Sequence, residues 1–253
     1  MERWCGRVAV VTGASAGIGA SIAESLVRHG MVVVAMARRE QRLKELAEKL
    51  QGGGGGPKGS LHPLKVDICN EAEVRDAFQW VKDTYGAVHV LVNNAGITRN
   101  VKLSEMERTD VMRALVETNV IALSLCTGLA VRMMRESGVE DGHIIHINSV
   151  AGHSILPFTG HHSYGSTKHA VTVLTEGLRK ELMEAKSKIR VTSVSPGLVK
   201  TEIFEAAGSQ EDLYKENPYL NPQDVADCVV FALGMPSHVQ IHEVTVKPVG
   251  EFI

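Results

Sequence analysis

The sequence has few cysteines, few tryptophans, almost no net charge and no long apolar run, and each shortage closes off a class of function. Cys5, Cys69, Cys126 and Cys228 are widely spaced and form none of the C-x-x-C pairs of zinc or redox sites, so they read as reduced structural thiols of an intracellular protein. A formal charge of -2, with basic residues scattered along the chain, offers no global attraction to nucleic acid or anionic lipid. The apolar segment before Thr12 and Gly13 is only a few residues long. That is too short for a signal core or a bilayer, and a cytoplasmic protein without a membrane span is expected. Trp4 and Trp80 lie beside none of the motifs described below and read as packing residues rather than substrate platforms. His153, His161 and His162 crowd one stretch, yet no carboxylate or thiol completes a ligand set at suitable spacing, so no metal is expected.

What is present points to one globular domain over residues 1–253. Hydrophobic residues make up 44% of the chain and charged residues 22%, which excludes disorder and fibre. No internal repeat or polar linker divides the 253 residues. Short apolar runs at Val8–Val11, Val32–Met36, Leu61–Val66, Val88–Val92, Ile144–Ile147, Arg190–Val194 and Val239–Val246 alternate with amphipathic stretches. This rhythm predicts an α/β fold: a doubly wound, seven-stranded parallel sheet with helices on both faces. Ile18, Ile22, Leu26 and Val27 mark one helical face over Ile18–His29, closed by Gly30, and Leu43, Leu46, Ala47 and Leu50 mark another over Glu40–Leu50. The glycine run Gly52–Gly56 before Pro57 reads as a flexible surface connection.

Gly13, Gly17 and Gly19 fall at the turn from the first strand into the first helix. There they allow a sharp bend, close approach of backbone to a pyrophosphate, and tight helix–strand packing, while the helix N-terminus offers free N–H groups to the anion. The second strand ends Ala37-Arg38-Arg39, with no carboxylate to accept a ribose 2′-hydroxyl. Two guanidiniums there suit a 2′-phosphate and so NADP; alternatively they are solvated residues at a helix start, with Glu40 next door to pair with one.

Tyr164 and Lys168 lie one helical turn apart on one face. An ammonium near a phenol favours the phenolate, so Lys168 reads as the tuner and Tyr164 as the acid/base. Ser149 follows the run Ile144–Ile147, at the carboxyl end of a parallel strand where such sheets place ligands. Ser154 is the alternative serine, further past the strand end. Thr201–Tyr219 reads either as a lid carrying Ile203, Phe204, Leu213 and Tyr214 or as a helix packed on the core. Ile155, Leu156 and Phe158 permit an apolar pocket near Ser149.

In this order, Thr12-Gly13-x-x-x-Gly17-x-Gly19, Asn93-Asn94-Ala95-Gly96, Asn119, Ser149, Tyr164-x-x-x-Lys168 and Pro196-Gly197 resemble the short-chain dehydrogenase/reductase family, from about residue 6 to the end. Asp141-Gly-His-Ile-Ile145, Asn148-Ser149, Gly152-His153 and Leu174-Thr-Glu-Gly-Leu-Arg179 resemble the branch holding dehydrogenase/reductase family member eleven and insect farnesol dehydrogenases. The resemblance implies a single-domain Rossmann fold and an NADP-dependent oxidoreductase for a small apolar alcohol or carbonyl, farnesol first, with steroids or general carbonyls as alternatives. It implies that Gly13, Ala14, Ser15, Ala16, Gly17, Ile18 and Gly19 hold the dinucleotide with Arg38 and Arg39. Asp67 and Ile68 would border the adenine, Asn94, Ala95 and Gly96 would lie beside the cofactor, and Pro196, Gly197, Val199 and Thr201 would line the nicotinamide side. Lys168 would also hold the nicotinamide ribose, Asn119 would anchor a proton-relaying water, and Ser149 with Tyr164 would contact substrate. A homodimer or homotetramer through helices containing Ser104–Met134 and Ser163–Met183 is also implied. A non-catalytic NADP-binding scaffold on the same fold is the distant alternative.

Overall fold

In the computed structural model, which describes residues 1–51, 59–107, 109–208 and 213–251, the apolar runs become seven parallel strands in the order β3-β2-β1-β4-β5-β6-β7. They are β1 (Val8–Thr12), β2 (Val32–Ala37), β3 (Ser60–Lys65), β4 (Val90–Asn93), β5 (His143–Ile147), β6 (Arg190–Pro196) and β7 (Glu243–Val246). The helices are α1 (Gly17–Arg28), α2 (Glu40–Gln51), α3 (Glu71–Tyr85), α4 (Asp110–Val116), α5 (Leu123–Glu136), α6 (His162–Glu184), α7 (Ile203–Ala206), α8 (Leu213–Glu216) and α9 (Pro222–Gly234). This is the doubly wound Rossmann architecture. The glycine run after α2 lies outside the described residues.

Alternation along each strand sends side chains to two cores. Ala9 and Val11 of β1 join Ile22 and Leu26 of α1, Leu43 of α2 and Val229 of α9 on one face; Val8 and Val10 join Phe78 of α3, Met134 of α5 and Leu182 of α6 on the other. Pro63 pairs opposite Ala35 inside β3, which is possible because β3 is an edge strand and spares one donor. β5 carries two buried histidines in its apolar run. His143 is hydrogen-bonded to Thr192 and His146 sits between Thr127 and Thr175; burial pushes His146 down to about 4, so it is neutral.

Two elements differ from expectation. The last strand was expected from Val239, yet only Glu243–Val246 pairs with β6; before it, Gln240, Ile241 and His242 meet β6 through Val191 N, Thr192 Oγ1 and Ser193 N. Between α4 and α5 the backbone forms a π-helical turn, Glu117–Ala122, which widens the helix around Asn119. The continuous helical segment Asp110–Glu136 is long and apolar enough to cross a membrane, but its Leu115, Leu123, Cys126, Ala130 and Met134 are buried in the protein. Trp4 is fully buried, donating Nε1 to Leu233 O at 2.8 Å beneath the guanidinium of Arg3, whereas Trp80 lies half-exposed, edge-on to Tyr85.

Candidate active site

Strand order reverses between β1 and β4, and the chains leaving their carboxyl ends part to open a crevice. On its β1 side Gly13 (φ +67°) and Gly17 (φ +54°) adopt left-handed backbone that glycine reaches without strain. A Cβ on Gly13 would stand 2.8 Å from Ala95 Cα, and one on Gly19 would stand 2.5 Å from Gly13 O. Turn, helix and β4 loop are therefore packed backbone to backbone. Ala16 is the N-cap of α1 and has no capping side chain, and no acidic residue lies in the first turn. The first N–H groups of α1, around Gly17, Ile18 and Gly19, are left for an anion, which fits a dinucleotide pyrophosphate. Ala14 is buried beneath the turn, and Ser15 Oγ accepts from Arg39 Nε at 3.1 Å. Arg38 and Arg39 are exposed at the tip of β2.

The β4 side is fastened to this turn by Thr12. Its Oγ1 accepts the N–H groups of Asn94 and Ala95, both at 3.1 Å, and Asn94 Nδ2 donates back to Thr12 O (2.9 Å) and Gly13 O (3.3 Å). Past Gly96, Asn119 reaches across from the π-helical turn. Its Oδ1 accepts Ile97 N and its Nδ2 donates to Ile97 O, both at 2.9 Å, and to Thr167 Oγ1 at 3.0 Å. Thr167 Oγ1 donates in turn to Tyr164 O. One chain of hydrogen bonds thus ties the glycine turn to the first turns of α6. Asp67 and Ile68 follow β3 at the far end of the crevice, with Asp67 Oδ1 accepting Cys69 N at 3.1 Å. At the end of β6 Pro196 lies opposite Val246 of β7 and Gly197 N donates to Val246 O, Val199 is buried, and Thr201 returns to the glycine turn, 3.0 Å from where a Cβ on Gly17 would be.

Ser149, Tyr164 and Lys168 come together at the end of β5. Ser149 Oγ accepts Ala151 N at 3.1 Å and lies close enough to the Tyr164 hydroxyl to favour its phenolate. Lys168 is buried, donating Nζ to Ile147 O at 2.8 Å, and its nitrogen lies 5.8 Å from the centre of the Tyr164 ring. Ser154 instead donates to Val150 O in its own loop. Asn148, beside Ser149, donates to Thr172 and so braces the strand end against α6. His153 is more than a loop residue: it pairs with Glu243 at 2.6 Å and meets Ser195 Oγ at 3.0 Å.

The electrostatics differ from the spacing argument. Burial pushes the Tyr164 phenol up to about 12, opposed by the nearby Ser149 hydroxyl, and burial pushes Lys168 down to about 8. In the chain by itself desolvation dominates both groups, and Lys168 donates to a backbone carbonyl rather than to the phenol. Charging Lys168 then opposes folding: that cost is complete below pH 8, shrinks as pH rises, and is gone above the ordinary lysine value. The shift corresponds to about 3 kcal/mol, against about 1.5–3 kcal/mol for the lost charge-assisted hydrogen bond to Ile147 O. Lys168→Met is therefore expected to melt at or slightly above the parent at pH 6–7 and to lose ground to it between pH 8 and 10. A pH-independent gap, or a lower melting temperature at pH 7, would contradict this account.

Residues 7–212 match the short chain dehydrogenase family. The chain belongs to the short-chain dehydrogenases. The farnesol dehydrogenase of Aedes aegypti is 45% identical over 251 residues, 99% of each chain. Dehydrogenase/reductase SDR family member 11 of Gallus gallus is 44% identical over 98% of each chain. Among solved structures, an alcohol dehydrogenase from the archaeon Thermococcus sibiricus complexed with 5-hydroxy-NADP superposes with TM-score 0.83 at 27% identity, covering 98% of each chain. The closed form of a serine dehydrogenase complexed with NADP+ gives 0.85 at 30% identity, over 97% of this chain and 96% of that one. This short-chain dehydrogenase is an oxidoreductase. Thr167, Arg42 and Glu202 are residues of the dehydrogenase crevice without a signal in the sequence, whereas Thr12 stands in the glycine motif but the motif does not indicate its role in fastening β4.

Proposed function

We propose that this short-chain dehydrogenase interconverts a lipophilic alcohol and its aldehyde or ketone with NADP, farnesol and farnesal being the preferred pair. The observation that carries the reading is the contact of Ser149 with Tyr164 above the buried Lys168, in the crevice that the glycine turn opens. NADP supplies or accepts the hydride. The chain's own residues handle the oxygen and its proton: Tyr164 Oη takes the alcohol proton or returns it, and Ser149 Oγ holds the substrate oxygen as charge develops on it. Lys168 lends positive charge beneath the ring, and Asn119 keeps the loop after Gly96 and the start of α6 in register. NADP is favoured over NAD because β2 ends on Arg38 and Arg39 without a carboxylate.

An apolar substrate is supported by Ile155, 82% exposed, and Phe158, 51% exposed, on the loop after Ser149. Phe204 of α7 meets His161 edge-on, and Tyr214 joins it from α8, so aromatic surface borders the same region. The Aedes relative's name supports farnesol. A hydroxysteroid or general carbonyl substrate, which the sequence resemblance implies, is the second reading. Steady-state assays with farnesol, a hydroxysteroid and a small aromatic ketone, each with NADP and NAD forms, test both points. Farnesol with NADP should give the highest kcat/KM; the poorest value of the three for farnesol would end that assignment. Exposed Ile121, Val173 and Met183 on the segment leading into α5 and on α6 support a homodimer or homotetramer through these helices. Free thiols at all four cysteines support a cytoplasmic setting.

A further inference from the structure

The arginine read as the 2′-phosphate ligand already holds an anion from its own chain. Glu202 follows Thr201 at the far end of the crevice, and its carboxylate accepts Arg39 Nη1 at 2.7 Å and Arg42 Nη1 at 2.7 Å to each oxygen. Arg39 Nε meanwhile stays on Ser15 Oγ, beside the glycine turn. Glu40, the neighbour that could have paired with an arginine, pairs with Lys44 at 2.6 Å instead. Thr201 packs against Gly17, so the strap 201–202 crosses the mouth of the phosphate turn and ends on the two guanidiniums.

We propose that Glu202 is a specificity-determining residue for the dinucleotide: its carboxylate stands in for the 2′-phosphate on Arg39 and Arg42, and the phosphate displaces it on binding. The proposal rests on the NADP reading above. A carboxylate and a phosphate monoester present the same acceptors to a guanidinium, and two anions cannot share the pair without mutual repulsion. The phosphate wins because it carries up to two charges and three acceptor oxygens, whereas the Glu202 pairs are about half exposed and weak. Displacement frees the strap from the start of α2 and thereby couples recognition of the adenosine end to the segment that carries α7. A dinucleotide without the 2′-phosphate leaves the strap fastened.

The test is calorimetric titration of the ligand-free full chain and its Glu202→Gln and Arg39→Ala variants with 2′,5′-ADP and with 5′-AMP at low salt. Hydrogen exchange of residues 201–208 is followed in parallel. Glu202→Gln should bind 2′,5′-ADP about tenfold more tightly with 5′-AMP within twofold. In the parent, 2′,5′-ADP but not 5′-AMP should speed exchange in 201–208. If the parent shows no preference for 2′,5′-ADP and Arg39→Ala alters neither ligand, the NADP reading itself falls. If the parent does prefer 2′,5′-ADP but Glu202→Gln leaves the ratio unchanged, lowers it, or tightens both ligands equally, the stand-in role is wrong while the cofactor reading survives.

Discussion

Tyr164→Phe is expected to lower kcat/KM for alcohol oxidation about a thousandfold or more while leaving NADP affinity within about threefold. The substitution removes one oxygen and keeps the ring, so the packing around Lys168 and the Ile147 carbonyl has no reason to change. What disappears is the hydroxyl that lies beside Ser149 and over the buried lysine. The pH profile separates this from a folding defect. Because burial holds the phenol near 12, its deprotonated fraction grows with each step of pH through the neutral range, and oxidation by the parent should rise with pH. The residual activity of Tyr164→Phe should lose that slope. Retention of more than a tenth of the parent activity, measured in both directions with farnesol and farnesal, would remove Tyr164 from its role. Unchanged function in cells despite lost turnover would instead favour a scaffold that binds NADP.

Sequence legibility followed the range of the physics involved. Val8–Val11 and Val32–Met36 were read within a residue of β1 and β2, because a buried parallel strand must be apolar throughout and glycines mark its exits. The over-long reading at Val239–Val246 arose because apolar alternation reports burial and not pairing: Gln240 and Ile241 meet β6 through a side-chain oxygen and a carbonyl rather than a regular ladder. The π-helical turn at Asn119 has no residue signature, since it is a change of hydrogen-bond register within an ordinary helical pattern. Tyr164, Lys168 and Ser149 were legible as a cluster, but the balance of their charges was not. It depends on how deeply both groups are buried and on the carbonyl of Ile147, neither of which spacing reports. The hold of Glu202 on Arg39 and Arg42 was invisible for a simpler reason: about 160 residues separate the partners, and only the sheet order brings them together.

Gly19→Ala should be a damaging single-methyl addition at the glycine turn. The added Cβ would lie 2.4 Å from Asn94 Nδ2 and 2.5 Å from Gly13 O, and neither neighbour can retreat cheaply. Asn94 is held by Thr12 O and Gly13 O, and Gly13 is itself wedged against Ala95. Relief therefore requires α1 to move away from the turn, which breaks the stitch between β1 and β4 and misaligns the N–H groups at Gly17 and Ile18 that would meet the pyrophosphate. A stability loss of about 2–4 kcal/mol is expected, together with NADP binding weakened on the order of a hundredfold. Gly234→Ala supplies the contrast. Nothing lies within 4 Å of its added Cβ at the end of α9, so the same chemical change should cost nothing and gain up to about 1 kcal/mol through helix propensity. Melting curves and cofactor titrations on the two variants decide the matter. If Gly19→Ala melts with the parent and binds NADP within threefold, the close backbone packing at the turn is not what the site depends on.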